Sequence, residues 1–233
     1  MNINFFKKKD IMSEEEKQLL KIFCIFYENN KNLFVNIISN QKEKRKIISI
    51  IYNLMGFSEK PTLSDNQEEF ISNQKLYRGI SAENNELLCQ YINEFINGEP
   101  FYGGRASIYG TGIYTVLGND KNVANKYASD GDTNDCGIII ESILSEDSKV
   151  IEYSKIDSIR EKIINRLRRI YSNEIINFLE ILQDDGLFSA ILGYDAIFVE
   201  DKNYMVVLNR QKMIVNSNSI SNIKVNNESY PKR

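Results

Sequence analysis

The sequence predicts an α+β protein in which an N-terminal helical layer precedes a split, strongly twisted β-sheet with inserted helices. Two observations lead to this fold class. Residues 1–62 carry apolar side chains at spacings of three and four, which is typical of amphipathic helices. Residues 63–233 alternate short β-rich segments with helical ones. We therefore expect a helical region over 1–62 and a second domain over 63–233, divided near Pro61.

The helical region is expected to contain three helices. Ser13 and Glu16 form a capping box at the start of the first helix. A second helix is expected after Asn32, and a third carries isoleucines at helical spacing from Ile47 onwards. The basic segment 41–46 between them is expected to be a solvated face or a turn, with a polyanion contact as the alternative.

The second domain is expected to begin with short elements. Ser64 and Gln67 fit a further capping box. Residues 75–81 are typical of a short strand. The segment 87–96 has one apolar face, which predicts a helix that ends at Gly98.

Three glycines interrupt residues 107–128, the most informative stretch of the chain. Between them lies a short alternating strand, 113–116, and Asp120 is expected to cap the helix that follows. This arrangement would bring Tyr114 and Tyr127 towards one place, where glycine allows the close approach of a flat ligand. The alternative is a tight strand-to-helix connection with two packing tyrosines.

The rest of the chain predicts strands on either side of a long helical insertion over residues 155–192. Residues 194–209 are typical of a β-hairpin whose turn is Asp-Lys-Asn. Further strands are expected over 137–144, 149–153, 212–215 and 220–225, of which the last two would lie at sheet edges.

The composition excludes several kinds of catalytic site. The chain of 233 residues contains no histidine and only three cysteines, Cys24, Cys89 and Cys136. Ser-His-Asp and Cys-His nucleophile systems and HExxH zinc sites all need histidine. The cysteines are too widely spaced for a zinc-ligand pattern and are typical of a reducing compartment. Catalysis must therefore come from Asp, Glu, Lys, Tyr or Arg, and no metal is expected.

Charge and hydropathy favour a cytoplasmic location. The net charge of −3 provides no overall basic field, so a nucleic-acid partner is unsupported. No apolar run reaches the roughly 20 residues that a transmembrane helix needs. Residues 1–12 are not typical of a signal peptide, and we expect no membrane partner.

Three segments together resemble the catalytic core of the ADP-ribosyltransferase superfamily. LYRG at 76–79 is similar to the first-strand motif, which is Leu-Trp-His-Gly in the diphtheria-toxin and poly(ADP-ribose) polymerase branch and carries arginine in the cholera-toxin branch. GTGIYTV at 110–116, with the helical segment 119–128, resembles the polymerase motif Gly-Lys-Gly-Ile-Tyr-Phe and its trailing helix with a second tyrosine. Residues 194–215 resemble the closing hairpin, which carries the family's catalytic acid.

This resemblance implies NAD as the substrate and a set of residues that bind it. Arg78 would contact the phosphates or the adenosine-side ribose, because its guanidinium fork binds such oxygens bidentately. Tyr114 and Tyr127 would sandwich the nicotinamide ring, and backbone groups around Gly79 would hold its amide. The implied NAD-binding residues are Arg78, Gly79, Gly112, Tyr114, Thr115, Tyr127 and Tyr204. The alternatives are a surface ion pair for Arg78 and core packing for the tyrosines.

The third motif implies a catalytic acid close to the hairpin turn. Tyr204 aligns with the catalytic glutamate of the polymerase branch, and the nearest carboxylates are Glu200 and Asp201. Similarity to small phage and bacterial-effector members of the superfamily favours Asp201 first and Glu200 second. The alternative is that both are solvated turn acids. With Arg78, these two acids complete the expected catalytic set.

The expected chemistry explains why a carboxylate is needed. Cleavage of the nicotinamide–ribose bond passes through an oxocarbenium-like transition state, as in glycoside hydrolysis. A carboxylate that accepts a hydrogen bond from the ribose 2′-hydroxyl stabilises the developing positive charge. A neutral tyrosine cannot supply that charge.

The leading hypothesis is a mono-ADP-ribosyltransferase that modifies a macromolecular acceptor, expected to be a host protein. It would act as a phage protein, a bacterial effector or a toxin in the bacterial or host cytosol. Loss of the glutamate disfavours poly-chain synthesis. One alternative is an NAD-degrading toxin, since GGRAS at 103–107 is similar to RES-type NAD-consuming toxins. Another is a catalytically silent module of the same fold that binds a partner protein.

Overall fold

A mixed β-sheet of eight strands organises the computed structural model, which describes residues 12–34, 41–98, 108–129 and 136–221. The strands are β1 (Thr62–Ser64), β2 (Leu76–Ala82), β3 (Ile113–Leu117), β4 (Cys136–Leu144), β5 (Val150–Glu152), β6 (Ala196–Val199), β7 (Tyr204–Val207) and β8 (Met213–Asn216). Their order across the sheet is β1-β8-β4-β2-β3-β7-β6-β5. The β1–β8 and β5–β6 pairs are parallel and the other pairs are antiparallel.

Helices cover both faces of this sheet, so the predicted α+β class is confirmed. They are α1 (Glu14–Phe34), α2 (Gln41–Leu54), α3 (Gln67–Ser72), α4 (Asn85–Asn97), α5 (Lys121–Ala128), α6 (Tyr153–Tyr171), α7 (Ile176–Ile181), α8 (Asp185–Ile191) and α9 (Ser217–Ile220). In the described ranges, no helix has both the length and the apolar character needed to span a bilayer.

The segments β2, β3 and β7, which contain the three motifs, lie side by side at the centre of the sheet. β2 pairs with β4 along its whole length, from Leu76 to Ala82. With β3 it pairs only at Leu76↔Leu117 and Tyr77↔Val116. The two strands therefore separate beyond Tyr77.

Buried clusters stabilise both faces of the sheet, and two of them are large. On one face, α4 buries Leu88, Ile92 and Phe95 against the central strands. On the other face, helices α1, α2, α6, α7 and α8 form a larger aromatic core. In that core Phe23 of α1 contacts Phe188 of α8 with ring centroids 4.7 Å apart. Burying one such ring contributes roughly 1.5–3 kcal/mol.

The larger core contains residues from both sides of the predicted boundary at residue 62. Phe23 and Ile51 come from the N-terminal helices, whereas Phe178 and Phe188 come from α7 and α8. The boundary itself stays a prediction. The shared core means that α1 and α2 pack as part of the same layer as the later helices.

The N-terminal helices differ in part from the prediction. The capping box is confirmed, because Ser13 N donates to Glu16 Oε2 at 2.8 Å and Glu16 N donates to Ser13 Oγ at 3.1 Å. The separate helix expected after Asn32 is matched by a break two residues earlier, because Asn30 has a non-helical φ of −128° and a second helical piece follows it to Phe34. The basic segment 41–46 is the start of α2 rather than a turn. Residues 35–40 lie outside the described ranges.

Two predicted caps are also wrong. Asn66, not Ser64, caps α3, because Glu68 N donates to Asn66 Oδ1 at 3.2 Å while Ser64 belongs to β1. Asp120 occupies the N-cap position of α5, but its side chain makes no capping hydrogen bond. A short 3-10 turn over Gly118–Asp120 leads directly into the helix and replaces the expected cap.

The predicted edge strands need correction as well. β8 lies inside the sheet, because β1 pairs in parallel with its outer side. Ile220 ends the helical turn α9, and residues 222–225 fall outside the described ranges. The helical insertion is interrupted after α6, where Ser172 adopts a positive φ of 52°.

Candidate functional site

Helix α5 lies across the central strands on the face that bears Tyr77, Val116 and Tyr204. A glycine in β2 makes this close approach possible. A Cβ at Gly79 would lie 2.0 Å from the Ala124 carbonyl oxygen and 2.9 Å from Tyr127 Cβ. Any side chain at Gly79 would therefore displace α5 from the sheet.

A cavity of about 490 Å³ opens beside α5. Its lining residues are Val123, Lys126, Tyr127, Ser129 and Tyr204. Tyr127 is 56% exposed, so its ring is accessible to a ligand and is not packed in the core. The cavity thus combines two tyrosines with one lysine, a chemistry that suits a flat ring attached to an anionic group.

Tyr114 does not line this cavity, but it and the lining residue Tyr204 are diagonal neighbours on the same face of β3 and β7. Its hydroxyl donates to Gly110 O at 2.8 Å and accepts a hydrogen bond from Tyr109 N at 2.9 Å. Burial raises the pKa of the Tyr114 phenol above its ordinary value. Tyr114 is therefore a neutral ring in a defined position.

A cluster of four tyrosines extends from the cavity towards α6, and sequence reasoning missed two of them. Tyr109 contacts Tyr153 with centroids 4.9 Å apart, and both Tyr114 and Tyr204 at 6.5 Å. Tyr109 lies within the glycine-rich stretch 107–128 and could have been noticed there. Tyr153 carries no such signal, because only the tertiary fold brings the start of α6 to this place.

Asp184 holds the loop that precedes β3. Its Oδ1 accepts a hydrogen bond from Thr111 N at 2.7 Å, and its Oδ2 accepts one from Thr111 Oγ1, also at 2.7 Å. The same carboxylate caps α8 by accepting from Leu187 N at 3.0 Å. Gly110 permits this contact, since it has a φ of +84° and a Cβ there would lie 2.1 Å from Gly186 N. Sequence reasoning did not find Asp184.

Arg78 occupies the place where β2 and β3 separate. Its side chain leaves β2 on the face opposite Tyr77, because side chains alternate along a strand. Its Nη1 donates to Tyr114 O at 2.9 Å, which bridges the two strands. Burial, and then the positive charge of Arg210, lower the pKa of Arg78 to about 10. Arg78 is still a cation at neutral pH.

Two further predicted NAD-binding residues have structural contacts. Thr115 is buried, and its Oγ1 donates to Met205 O at 2.9 Å. It points away from the face that bears Tyr114, as alternation along β3 requires. A Cβ at Gly112 would lie 2.5 Å from Val206 Cγ1, so this glycine permits the start of the β3–β7 pairing. Neither residue lines the cavity.

The two predicted catalytic acids lie in the 3-10 turn between β6 and β7. Glu200 Oε1 accepts a hydrogen bond from Ser154 Oγ at 2.6 Å, and this bond is the main cause that lowers the pKa of Glu200. Asp201 is exposed and pairs with Lys202 at 3.3 Å. Neither acid lines the cavity beside Tyr204.

Within the described ranges, no group of three or more Cys, Asp or Glu side chains is arranged to hold a metal ion. Comparisons with protein-family models, with curated proteins and with solved structures found no match to this chain. The site must therefore be interpreted from its own geometry and charges.

Proposed function

We propose that this chain is a mono-ADP-ribosyltransferase that uses NAD as its substrate and modifies a macromolecular acceptor. The acceptor is a protein of the host, and the chain acts as a phage or bacterial effector or toxin in the cytosol. The observation that carries the proposal is the cavity lined by Tyr127 and Tyr204, with Tyr114 as the diagonal neighbour of Tyr204 on the sheet. These tyrosines come from two of the three segments that resemble the superfamily, and Gly79 of the remaining segment lies under α5.

The dimensions and chemistry of the cavity support a nicotinamide ring as ligand. Small-molecule sites enclose roughly 300–1,000 Å³, and a volume of about 490 Å³ falls within that range. A flat heteroaromatic ring stacks on tyrosine with a gain of about 0.5–1.5 kcal/mol beyond its buried area. Lys126 at the same cavity provides a positive charge for the NAD phosphates.

The proposed contact between Arg78 and NAD rests on the resemblance, because the Arg78 side chain leaves β2 on the face opposite the cavity. The guanidinium between β2 and β3 is cationic at neutral pH and close to the Tyr114 backbone. In the bound state it is expected to contact a phosphate or ribose oxygen of NAD, as the resemblance implies.

The proposed reaction is a substitution at C1′ of the nicotinamide ribose. The C1′–N bond breaks, and its electron pair passes to the nicotinamide nitrogen, which leaves as neutral nicotinamide. An oxygen or nitrogen of the acceptor then bonds to C1′ and releases its proton to solvent. This substitution at C1′ includes no redox step and uses no metal ion.

One observation favours a second candidate, a silent module that binds NAD or a partner protein without turnover. Tyr204 occupies the position of the family's glutamate, and the two acids of the hairpin turn do not line the cavity. Burial raises the pKa of the Tyr204 phenol, so its neutral form prevails at pH 7. A site with no suitably placed carboxylate would bind the substrate without catalysis.

The decisive experiment measures nicotinamide release from NAD by the purified full chain, with and without a lysate of candidate host cells. Transfer of label into a discrete lysate band that is lost in Arg78→Ala, while the exposed-site control Glu86→Gln retains it, supports the transferase. Nicotinamide release without an acceptor favours NAD degradation. A folded protein that binds NAD and releases no nicotinamide would be the silent module.

A further inference from the structure

A carboxylate that the resemblance did not single out directly precedes the helix whose residues line the cavity, although it is not itself a lining residue. Asp120 immediately precedes α5, and its spacing to Val123 and Tyr127 is three and seven residues. Residues with this spacing share one face of a helix. Val123 and Tyr127 both line the cavity with Tyr204, so Asp120 lies on the same side of α5, one turn nearer its N-terminus.

The pairing of β3 with β7 brings Asp120 to Tyr204. Val116 and Tyr204 are direct partners across the two strands, and Leu117 N donates to Asn203 O at 3.0 Å. The 3-10 turn that contains Asp120 therefore starts against the chain just before Tyr204. Burial is the main cause that raises the pKa of the Tyr204 phenol, and the negative charge of Asp120 is a small further cause.

Asp120 also differs from the hairpin acids in what its carboxylate contacts. Glu200 is engaged by Ser154, and Asp201 pairs with Lys202. The Asp120 side chain does not cap its own helix and accepts no hydrogen bond from the described part of the chain. It is partly buried, so its charge is less screened by water than that of the exposed Asp201.

We propose that Asp120 supplies the carboxylate of this site, in the role that the family gives to a glutamate at the position of Tyr204. This inference rests on the proposed transfer reaction. The Asp120 carboxylate accepts a hydrogen bond from the ribose 2′-hydroxyl as the C1′–N bond breaks and stabilises the positive charge that develops on the ribose. It forms no covalent bond, and Tyr204 remains a neutral wall of the cavity.

The test compares Asp120→Asn with Asp201→Asn, Glu200→Gln and wild type. The Asp120 side chain makes no capping hydrogen bond, so Asp120→Asn, which removes only the charge, is expected to keep the helix and the fold. Glu86→Gln is the matched control, because it removes an exposed acid from the first turn of another helix, α4. For each variant we would measure NAD affinity by calorimetry and nicotinamide release at saturating NAD.

We expect Asp120→Asn to bind NAD with the affinity of wild type and to release nicotinamide about 100-fold more slowly. Asp120→Ser, which also lacks the carboxylate, should show the same loss. A purely structural role would instead lower the thermal midpoint and NAD affinity together. An Asp120→Asn variant as fast as wild type overturns the inference, as does a selective loss in Asp201→Asn or Glu200→Gln. If wild type itself neither binds NAD nor releases nicotinamide, the proposed function fails instead.

Discussion

Thr111 and Asp184 are joined by two hydrogen bonds of 2.7 Å, although 73 residues separate them in the sequence. The contact connects the loop before β3 to the start of α8. Tyr52 of α2 adds to it, since its hydroxyl donates to Thr111 O at 3.1 Å. The helical layer therefore positions the loop whose Gly110 and Tyr109 hold the Tyr114 hydroxyl.

We expect Thr111→Val to lower the free energy of unfolding by about 1.5–3 kcal/mol. The substitution removes a hydrogen bond to a charged acceptor but leaves the Thr111 N–H bond to Asp184 in place. Urea denaturation measures the change. Thr62→Val, at an exposed strand position, is the control and should change stability little. Equal stability of the two variants would contradict the assigned role of this contact.

Gly79→Ala should displace α5 and destabilise the protein by about 1–3 kcal/mol. The added Cβ would lie 2.0 Å from the Ala124 carbonyl oxygen, and neither backbone can move without breaking its own hydrogen bonds. Gly118→Ala provides the matched control, because its Cβ would be 3.6 Å from the nearest atom, Lys75 O. Thermal unfolding of both variants tests the prediction, and tolerance of Gly79→Ala would show that α5 is not closely packed on β2.

Tyr127→Ala should weaken NAD binding about tenfold or more, because it removes one wall of the cavity. Tyr127→Phe keeps the ring and should bind NAD nearly as well as wild type. Since Tyr127 is 56% exposed, neither substitution should lower the thermal midpoint appreciably. Calorimetric titration with NAD gives the affinities. Unchanged affinity of Tyr127→Ala would place the ligand elsewhere.

The pH dependence of stability should contain a contribution from Glu16. Its hydrogen bond with Lys162 Nζ, followed by that with Ser13 N, lowers the pKa of this carboxyl below its ordinary value of 4.5. The native state thus binds fewer protons than the unfolded state. The stabilisation is fully present above pH 4.5 and is lost as the pH falls through the lowered pKa of the native state.

At neutral pH, Glu16→Gln should therefore have a lower free energy of unfolding than wild type. Below pH 4.5, its free energy of unfolding should change less steeply with pH. Glutamine keeps the capping box, so the change reports the charge contact with Lys162. Glu15→Gln removes an exposed acid from the same helical turn and is the control. Urea denaturation over a pH series gives the free energy of unfolding of each protein as a function of pH. If this free energy changed with pH equally in Glu16→Gln and in wild type, the prediction would be contradicted.

Local pattern determined much of this protein from its sequence alone. The alternation in 113–116 identified β3, and the capping box of Ser13 and Glu16 identified the start of α1. Both signals depend on neighbouring residues, which the sequence displays directly. The resemblance likewise singled out Tyr127 and Tyr204, which the structure brings to one cavity.

Only the tertiary structure decided which distant segments meet around that cavity. Asp184 reaches Thr111, and Val116 pairs with Tyr204, because strand pairing and helix packing join segments that are far apart in the chain. Thr115 lies away from the cavity because alternation in a paired strand sends it to the opposite face from Tyr114. Strand partners depend on non-local hydrogen bonds and on the burial of whole faces, and no single segment of sequence contains that information.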